Sequence, residues 1–251
     1  MLDYSTVDKK ICIGTSGWTY ADWRRTFYPE KLRQRDWLTY YAARFATVEL
    51  NATTYRLPKR DAIDRWLSAV PDGFRFAVKL SRLITHRRNL GEPQRFIDNF
   101  FAAIAPLAPK IATILVQLPP YLARDDALLD AFLAKLPPSY RYAVEFREPS
   151  WYAEQTYATL RRHGAALCVH DLRGSQAPDV VTAPFAYVRL HGPLRTYAGS
   201  YSNARLESWA SRIASLTERA GEAWIYFNND QRAYATKNAA TLGELLRCRR
   251  S

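Results

Sequence analysis

The sequence predicts a single (β/α)8 barrel, and three observations carry that reading. Eight short apolar runs of strand type alternate with mostly amphipathic helical stretches along the chain. Such alternation implies parallel strands joined by crossovers, and eight units suit a closed barrel. The length, 251 residues, fits one such barrel, and no linker, low-complexity segment or composition break divides it. Finally, several strands end in the same three-residue pattern, which gives them a common geometry. The barrel is expected over residues 11–246, with a polar leader at 1–10 and a basic tail at 247–251. A doubly wound open sheet is the competing architecture, weakened by the absence of GxGxxG and P-loop patterns.

The elements follow in order. Ile11-Cys12-Ile13-Gly14 opens as a strand, and Thr15-Ser16-Gly17-Trp18 begins a turn-rich loop containing Tyr20, Trp23, Phe27 and Tyr28. Residues 35–46 carry Trp37, Leu38, Tyr41, Ala42 and Phe45 at helical spacing. The second strand is 47–50, and a short helix covers 61–69. The third strand is 74–80, followed by a loop with Thr85, His86, Arg87 and Arg88 and an apolar helix over 94–108. The fourth strand, 112–118, stops at Pro119-Pro120, and its helix spans 125–136. In the fifth unit Val144-Glu145-Phe146-Arg147 ends at Pro149, with Ser150 as a candidate N-cap for a helix over 151–163. The sixth strand is 165–170. The stretch 172–184 contains Gly and Pro and predicts only a short or irregular helix, so the barrel is expected to be irregular there. Strands at 185–190 and 223–227 are followed by helices over 206–218 and 234–246.

Five strands end in Val, a polar residue and an apolar one: Val48-Glu49-Leu50, Val78-Lys79-Leu80, Val116-Gln117-Leu118, Val144-Glu145-Phe146 and Val188-Arg189-Leu190. Residues in a strand alternate between its two faces. The apolar flanks therefore pack outward on the helices, and the polar residue points into the barrel mouth. Asn51, Arg147 and His191 follow at a spacing of two and share that inward face. This places a site at the C-terminal ends of the strands. The bland alternative is an ion-pair plug in which Glu49 and Glu145 simply neutralise Lys79, Arg147 and Arg189. Buried ion pairs stabilise poorly relative to apolar packing, so convergence of this many polar strand ends favours function.

Composition bounds the partners. The net charge is +12 and the pI near 9.7, which favours anionic partners and admits nucleic acid. The charge is scattered and no basic helix stripe stands out. Cys12, Cys168 and Cys248 form no CxxC pair, so neither a disulfide framework nor structural zinc is expected, and Cys12 and Cys168 read as small apolar residues. Residues 1–10 have no apolar signal core and no stretch approaches a membrane span, so no membrane partner and a cytoplasmic location are expected. No cofactor is predicted. Neutral histidines and carboxylates on separate strands are compatible with a divalent metal, but there is no HxH pair or HExxH, and cations outnumber the candidate ligands.

The ordered motifs Gly14-Thr15-Ser16-Gly17-Trp18, Glu49-Leu50-Asn51-Ala52-Thr53-Thr54-Tyr55, Gln117-Leu118-Pro119-Pro120, Glu145-Phe146-Arg147-Glu148-Pro149-Ser150-Trp151, Val188-Arg189-Leu190-His191-Gly192 and Phe227-Asn228-Asn229-Asp230 cover essentially the whole chain. In them the sequence resembles the YecE-like family of TIM barrels, a domain of unknown function. The resemblance implies the barrel and a loose relation to sugar-isomerase and endonuclease-IV-like barrels, but no established reaction. Two positions depart from the family pattern: Thr54 stands where Phe is usual, and Ala233 where Gly is usual.

The reading favoured by these residues is an enzyme acting on a polar anionic small molecule, a sugar or sugar phosphate, in an isomerase- or hydrolase-like reaction. Glu49 and Glu145 would share acid and base work with one pKa raised and the other depressed, and His191 would move protons. Lys79, Arg147 and Arg189 would bind the anionic group, with Asn51, Gln117, Asn228 and Asn229 on hydroxyls. His86, Asp171 and Asp230 join them at the rim, and Trp18, Tyr20 and Tyr55 would contact a ring. Two other classes compete: a nucleic-acid binder or endonuclease-IV-like phosphoesterase, and a non-enzymatic ligand-binding protein.

Overall fold

The computed structural model describes residues 11–86, 90, 94–194 and 197–249. The predicted leader at 1–10, Arg87, Arg88 and the last two residues of the basic tail lie outside that set. The strands are β1 (Ile11–Thr15), β2 (Thr47–Leu50), β3 (Arg75–Lys79), β4 (Ile111–Gln117), β5 (Tyr142–Glu145), β6 (Ala166–His170), β7 (Ala186–Leu190) and β8 (Ala223–Phe227). They form one eight-stranded parallel sheet in sequence order from β2 to β8, with β8 returning to β1. The predicted (β/α)8 barrel is the fold.

The seam between β1 and β2 closes differently. An isolated bridge, Ser16 to Glu49, joins them. Below it, the Tyr41 hydroxyl accepts the Thr15 N–H at 2.9 Å and donates to the Thr47 carbonyl at 3.0 Å, replacing a ladder bond. Gly14 makes this approach feasible: a Cβ there would stand 2.1 Å from the Thr47 carbonyl oxygen. The seam matters because its upper end, Ser16 and Glu49, is part of the mouth.

The helices are α1 (Trp37–Ala42), α2 (Arg60–Ala69), α3 (Arg82–Thr85), α4 (Gln94–Ile104), α5 (Asp126–Ala134), α6 (Glu154–Arg162), α7 (Asn203–Ala220) and α8 (Tyr234–Cys248). Among the described residues no helix joins β6 to β7, so the irregular sixth unit is as predicted. Boundaries moved where local capping won. A loop was expected around 85–88, yet α3 forms just before it because the Ser81 hydroxyl accepts the Leu83 N–H at 3.3 Å. Ser150 does not cap α6. The Glu148 carboxylate takes the Ser150 N–H at 3.0 Å and holds Pro149–Trp151 in a 3-10 turn, so α6 starts only at Glu154.

Strand alternation separates two cores. Val48, Val78, Val116, Val144, Phe146, Val188 and Leu190 face outward into the layer beneath the helices. Ala77, Leu115, Ala143, Cys168, Tyr187, Trp224 and Tyr226 fill the barrel interior. Small residues on β3, β5 and β6 make room for Tyr187 and Tyr226, whose rings sit 5.2 Å apart. The two tyrosines form a floor: the Tyr187 hydroxyl reaches Glu49 at 2.7 Å and the Tyr226 hydroxyl meets Thr47 Oγ1 at 2.8 Å.

Candidate active site at the barrel mouth

Arg189 is the centre of the mouth. It is 1% exposed, at the end of β7, and its guanidinium bridges both predicted carboxylates. Nη2 donates to Glu49 Oε1 at 2.7 Å and Nη1 to Glu145 Oε2 at 2.5 Å, and both glutamates are fully buried. Glu49 also accepts from the Tyr187 hydroxyl at 2.7 Å and from the Ser16 hydroxyl. Ser16 Oγ in turn accepts from Asn51 Nδ2 at 2.6 Å and Arg189 Nη2 at 3.2 Å. Glu145 accepts from Arg147 Nε at 2.8 Å. The inward spacing of two therefore did what the sequence implied: Glu145 and Arg147 meet, and β2, β5 and β7 converge.

The charge states differ from expectation. Burial alone would raise both carboxyls. For Glu49 the Arg189 charge and the hydrogen bonds from Ser16 and Tyr187 outweigh burial and hold the pKa below its ordinary value. For Glu145 the charges of Arg189 and Arg147 do so more strongly. The expected split, one carboxyl raised and one depressed, does not occur, because one guanidinium serves both. Both glutamates are ionised and tightly held, which suits them to positioning more than to donating protons. His191 changes role as well. Burial pushes its pKa down to about 4, so it is neutral at pH 7 and carries no charge to shuttle. Its Nδ1 faces the donating amide of Asn228 at 3.3 Å, which leaves the ring proton on Nε2, 3.8 Å from Glu145 Oε2 and beyond hydrogen-bonding reach.

Lys79 stands apart. Its partly buried ammonium makes no hydrogen bond or ion pair with any described residue, whereas Arg147 and Arg189 are both committed to Glu145. Burial, reinforced by the neighbouring Arg189 charge, lowers its pKa to about 8. Two carboxylates and two guanidiniums balance, so Lys79 leaves this cluster with a positive charge. On the flanking strands, Asn51 Oδ1 after β2 and Gln117 Oε1 at the end of β4 are buried acceptors without a partner among the described residues. Asp230, after β8, is a further titratable group: burial raises its carboxyl to about 7, and its Oδ1 has no hydrogen-bond partner among the described residues.

Other predicted residues lie elsewhere or are occupied. Asp171 accepts the His191 backbone N–H at 2.8 Å and the Tyr201 hydroxyl, so it braces the β7 end. Asn229 is fully buried, and its amide donates to Gly199 O at 2.8 Å and Asn238 Oδ1 at 2.9 Å, tying loops together. Trp18 packs edge-on against Trp66, with ring centroids 6.0 Å apart, in a groove with Leu38 and Arg65. The Tyr20 hydroxyl donates to the Ser16 carbonyl at 2.5 Å. Tyr55 is exposed on the rim. His86 Nδ1 pairs with Thr85 Oγ1 at 2.8 Å, and burial with the Arg82 charge lowers its pKa to about 4. His170, at the end of β6, is occupied at both nitrogens: Nε2 contacts Phe146 O at 2.8 Å and Nδ1 accepts the Leu172 N–H at 3.2 Å. Sequence reasoning missed Ser16 and Tyr187 as members of the network. Tyr187 was findable, since it lies two before Arg189 on the inward face.

A cavity of about 390 Å³ opens beside this network, lined by Asp171, Arg173, His191, Tyr201 and Arg205 among others. It reaches the mouth through His191, while Glu49 and Glu145 do not line it. Among the described residues no group of three His, Cys, Asp or Glu converges as a metal site. Arg189 lies against both mouth carboxylates, and its charge opposes a cation there. No helix of the described residues is long and apolar enough to cross a membrane.

A (β/α)8 barrel with a buried carboxylate–guanidinium network at its C-terminal mouth defines the class of protein. The comparisons give the family. The profile described as "Protein of unknown function DUF72" matches residues 12–251, and the chain belongs to that family. It is similar to the UPF0759 protein YunF of Bacillus subtilis (strain 168), 25% identical over 269 residues and covering 94% of each chain. It is 34% identical over 154 residues to the UPF0759 protein YecE of Escherichia coli (strain K12), covering 61% of this chain and 54% of that protein. The chain thus spans about half the length of that relative. Among solved structures, a DUF72 family protein of Thermotoga maritima MSB8 superposes with a TM-score of 0.85 at 31% identity, covering 94% of this chain and 99% of that one. A DUF72 family protein of Enterococcus faecalis V583, 21% identical, has the same fold, with a TM-score of 0.83 over 94% of this chain and 95% of that one.

Proposed function

We propose that the chain is an enzyme acting at the barrel mouth on a hydroxyl-rich anionic small molecule, of which a sugar phosphate is the type. The observation that supports this reading runs along β2, β3 and β4. Three successive strand ends present Asn51 Oδ1, the Lys79 ammonium and Gln117 Oε1, and among the described residues the two oxygens have no hydrogen-bond partner and the ammonium makes no hydrogen bond or ion pair. Acceptor oxygens call for O–H donors, and an uncompensated ammonium calls for an anion. A phosphorylated polyol supplies both. Arg189 keeps Glu49 and Glu145 ionised, and they hold Arg147, Arg189 and Ser16 in place. Asp230, poised near neutrality, is the proton carrier in this scheme. An isomerase needs such a group to move a proton between carbons, and a hydrolase needs it to activate water.

The test is a thermal-shift and calorimetric screen with sugar phosphates, inorganic phosphate and the matching uncharged sugars. Phosphorylated ligands are expected to bind and uncharged ones to bind weakly. Lys79→Met is expected to lose the phosphorylated ligands at least about tenfold, as for a desolvated charge-assisted contact. Unchanged binding in Lys79→Met overturns the assignment. For any ligand that turns over, Asp230→Asn is expected to abolish turnover and leave binding, and full activity in that variant removes Asp230 from the chemistry.

A further inference from the structure

The large hydrophobic side chains exposed on the described surface are Tyr55, Leu57, Leu83, Tyr121, Leu194 and Tyr197. All six fall in segments that follow strands, namely β2, β3, β4 and β7, so all of them ring the C-terminal face. None lies on the opposite end of the barrel. Tyr55 is 75% exposed and Tyr121 69%, so both rings present their faces to solvent.

Guanidinium groups are interleaved with these rings. Arg82 stands over Tyr55, 5.8 Å from the ring centroid. Arg147 Nη2 donates to the Tyr197 hydroxyl at 3.3 Å. Tyr121 is anchored through its hydroxyl to the His86 carbonyl at 2.7 Å, which leaves the ring on the surface. Arg56, Arg82 and Arg173, exposed on the same face, form no ion pair with a described residue. The chain as a whole carries +12.

We propose that this rim binds single-stranded nucleic acid, with bases stacking on Tyr55 and Tyr121 and phosphates meeting the intervening arginines. Separate rings divided by cations match the alternation of base and phosphate along a strand. An apolar protein partner would instead need a contiguous apolar patch. A duplex keeps its base faces stacked internally and offers the rings little. The proposal does not rest on the reading of the mouth: Tyr55, Tyr121, Arg56, Arg82 and Arg173 take no part in the mouth network, and Arg147 is the residue the two share.

Fluorescence anisotropy of the full chain with a labelled oligodeoxythymidylate, and with a labelled duplex, tests it. The single strand is expected to bind at low ionic strength, to weaken steadily as salt rises, and to outcompete the duplex by about tenfold. Tyr55→Ala and Tyr121→Ala are each expected to weaken binding about tenfold, while Tyr55→Phe and Tyr121→Phe keep it, since the ring and not the hydroxyl stacks. Lys79→Met is expected to stay within about threefold of wild type, a limit of one phosphate contact. The proposal is overturned by no binding at low salt, by equal binding of the duplex, by alanine variants that bind like wild type, or by loss confined to Lys79→Met. Both tyrosines are surface residues, so circular dichroism of the variants should match wild type and exclude misfolding as the cause.

Discussion

The two ends of the barrel handle charge in opposite ways. At the N-terminal end Arg141 pairs with Glu222 on the outside, with side-chain exposures of 41% and 29%, and the Arg141 guanidinium lies 3.9 Å from the Phe185 ring centroid. Trp224, Phe185 and Ala112 fill the interior near that end. At the C-terminal end Arg189 pairs with Glu49 and Glu145 at exposures of 1% and 0%. A wet ion pair costs little to form and contributes little, whereas a dry one must recover a large desolvation penalty through geometry and extra hydrogen bonds. The mouth recovers it with Ser16, Tyr187 and Arg147. A fold that needed only stability would have closed both ends with apolar side chains, as it closed the bottom.

The largest effect should come from breaking that asymmetry at its centre. Arg189→Met strands two buried carboxylates and is expected to lose about 3–5 kcal/mol at pH 7 in urea denaturation, while Arg141→Met at the other end should lose no more than about 1 kcal/mol. Similar losses for both would end the contrast. Proton linkage gives a second reading of the same variant. In the wild type the folded pKa values of Glu49 and Glu145 lie below the unfolded ones. Their stabilisation is therefore present above the unfolded carboxylate range and is lost as pH falls through the folded pKa values. The gap between wild type and Arg189→Met should close on acidification, because protonation discharges the stranded glutamates.

Lys79 is shifted in the same direction with the opposite consequence at neutral pH, because there burial penalises its charged form. Its folded pKa of about 8 lies below the unfolded 10.5, so between those values the unfolded chain binds more protons than the folded one and wild-type stability rises with pH. Lys79→Met is expected to stabilise by about 1–2 kcal/mol at pH 7, discounted for partial solvent access, and the gain should vanish toward the top of that window. Stabilisation together with lost ligand binding is the behaviour of a residue kept for function.

Two smaller substitutions probe Thr54 and Ala233, both buried. Thr54 is 2% exposed and its hydroxyl has no hydrogen-bond partner among the described residues. Thr54→Val, which removes that buried hydroxyl, should stabilise by about 1 kcal/mol in the same denaturation assay. Ala233 sits at φ 57°, ψ 26°, in the left-handed region, fully buried. That conformation costs about 1–2 kcal/mol for a residue with a Cβ, a cost glycine would not carry. Ala233→Gly also loses a buried methyl worth about 0.8 kcal/mol and adds freedom to the unfolded chain. The net shift should stay below about 0.5 kcal/mol, and a larger gain would mean the strain at this loop exceeds that of an ordinary left-handed residue.

The sequence by itself determined the barrel, the inward face of each strand, and the convergence of Glu49, Glu145, Arg147 and Arg189 with Lys79. These follow from a strict period of two and from the alternation of strand and helix, which are local properties of the chain. Residue order alone could not assign charge state or partnership. That Glu49 and Glu145 share one guanidinium, that His191 is neutral, that Asn229 and His170 are spent on loops, and that Lys79 is left over all depend on distances of a few ångströms between strands far apart in sequence. Electrostatic and desolvation energies change steeply over such distances and with burial. Only the closed tertiary structure sets them, and it decided that the mouth's available positive charge belongs to Lys79.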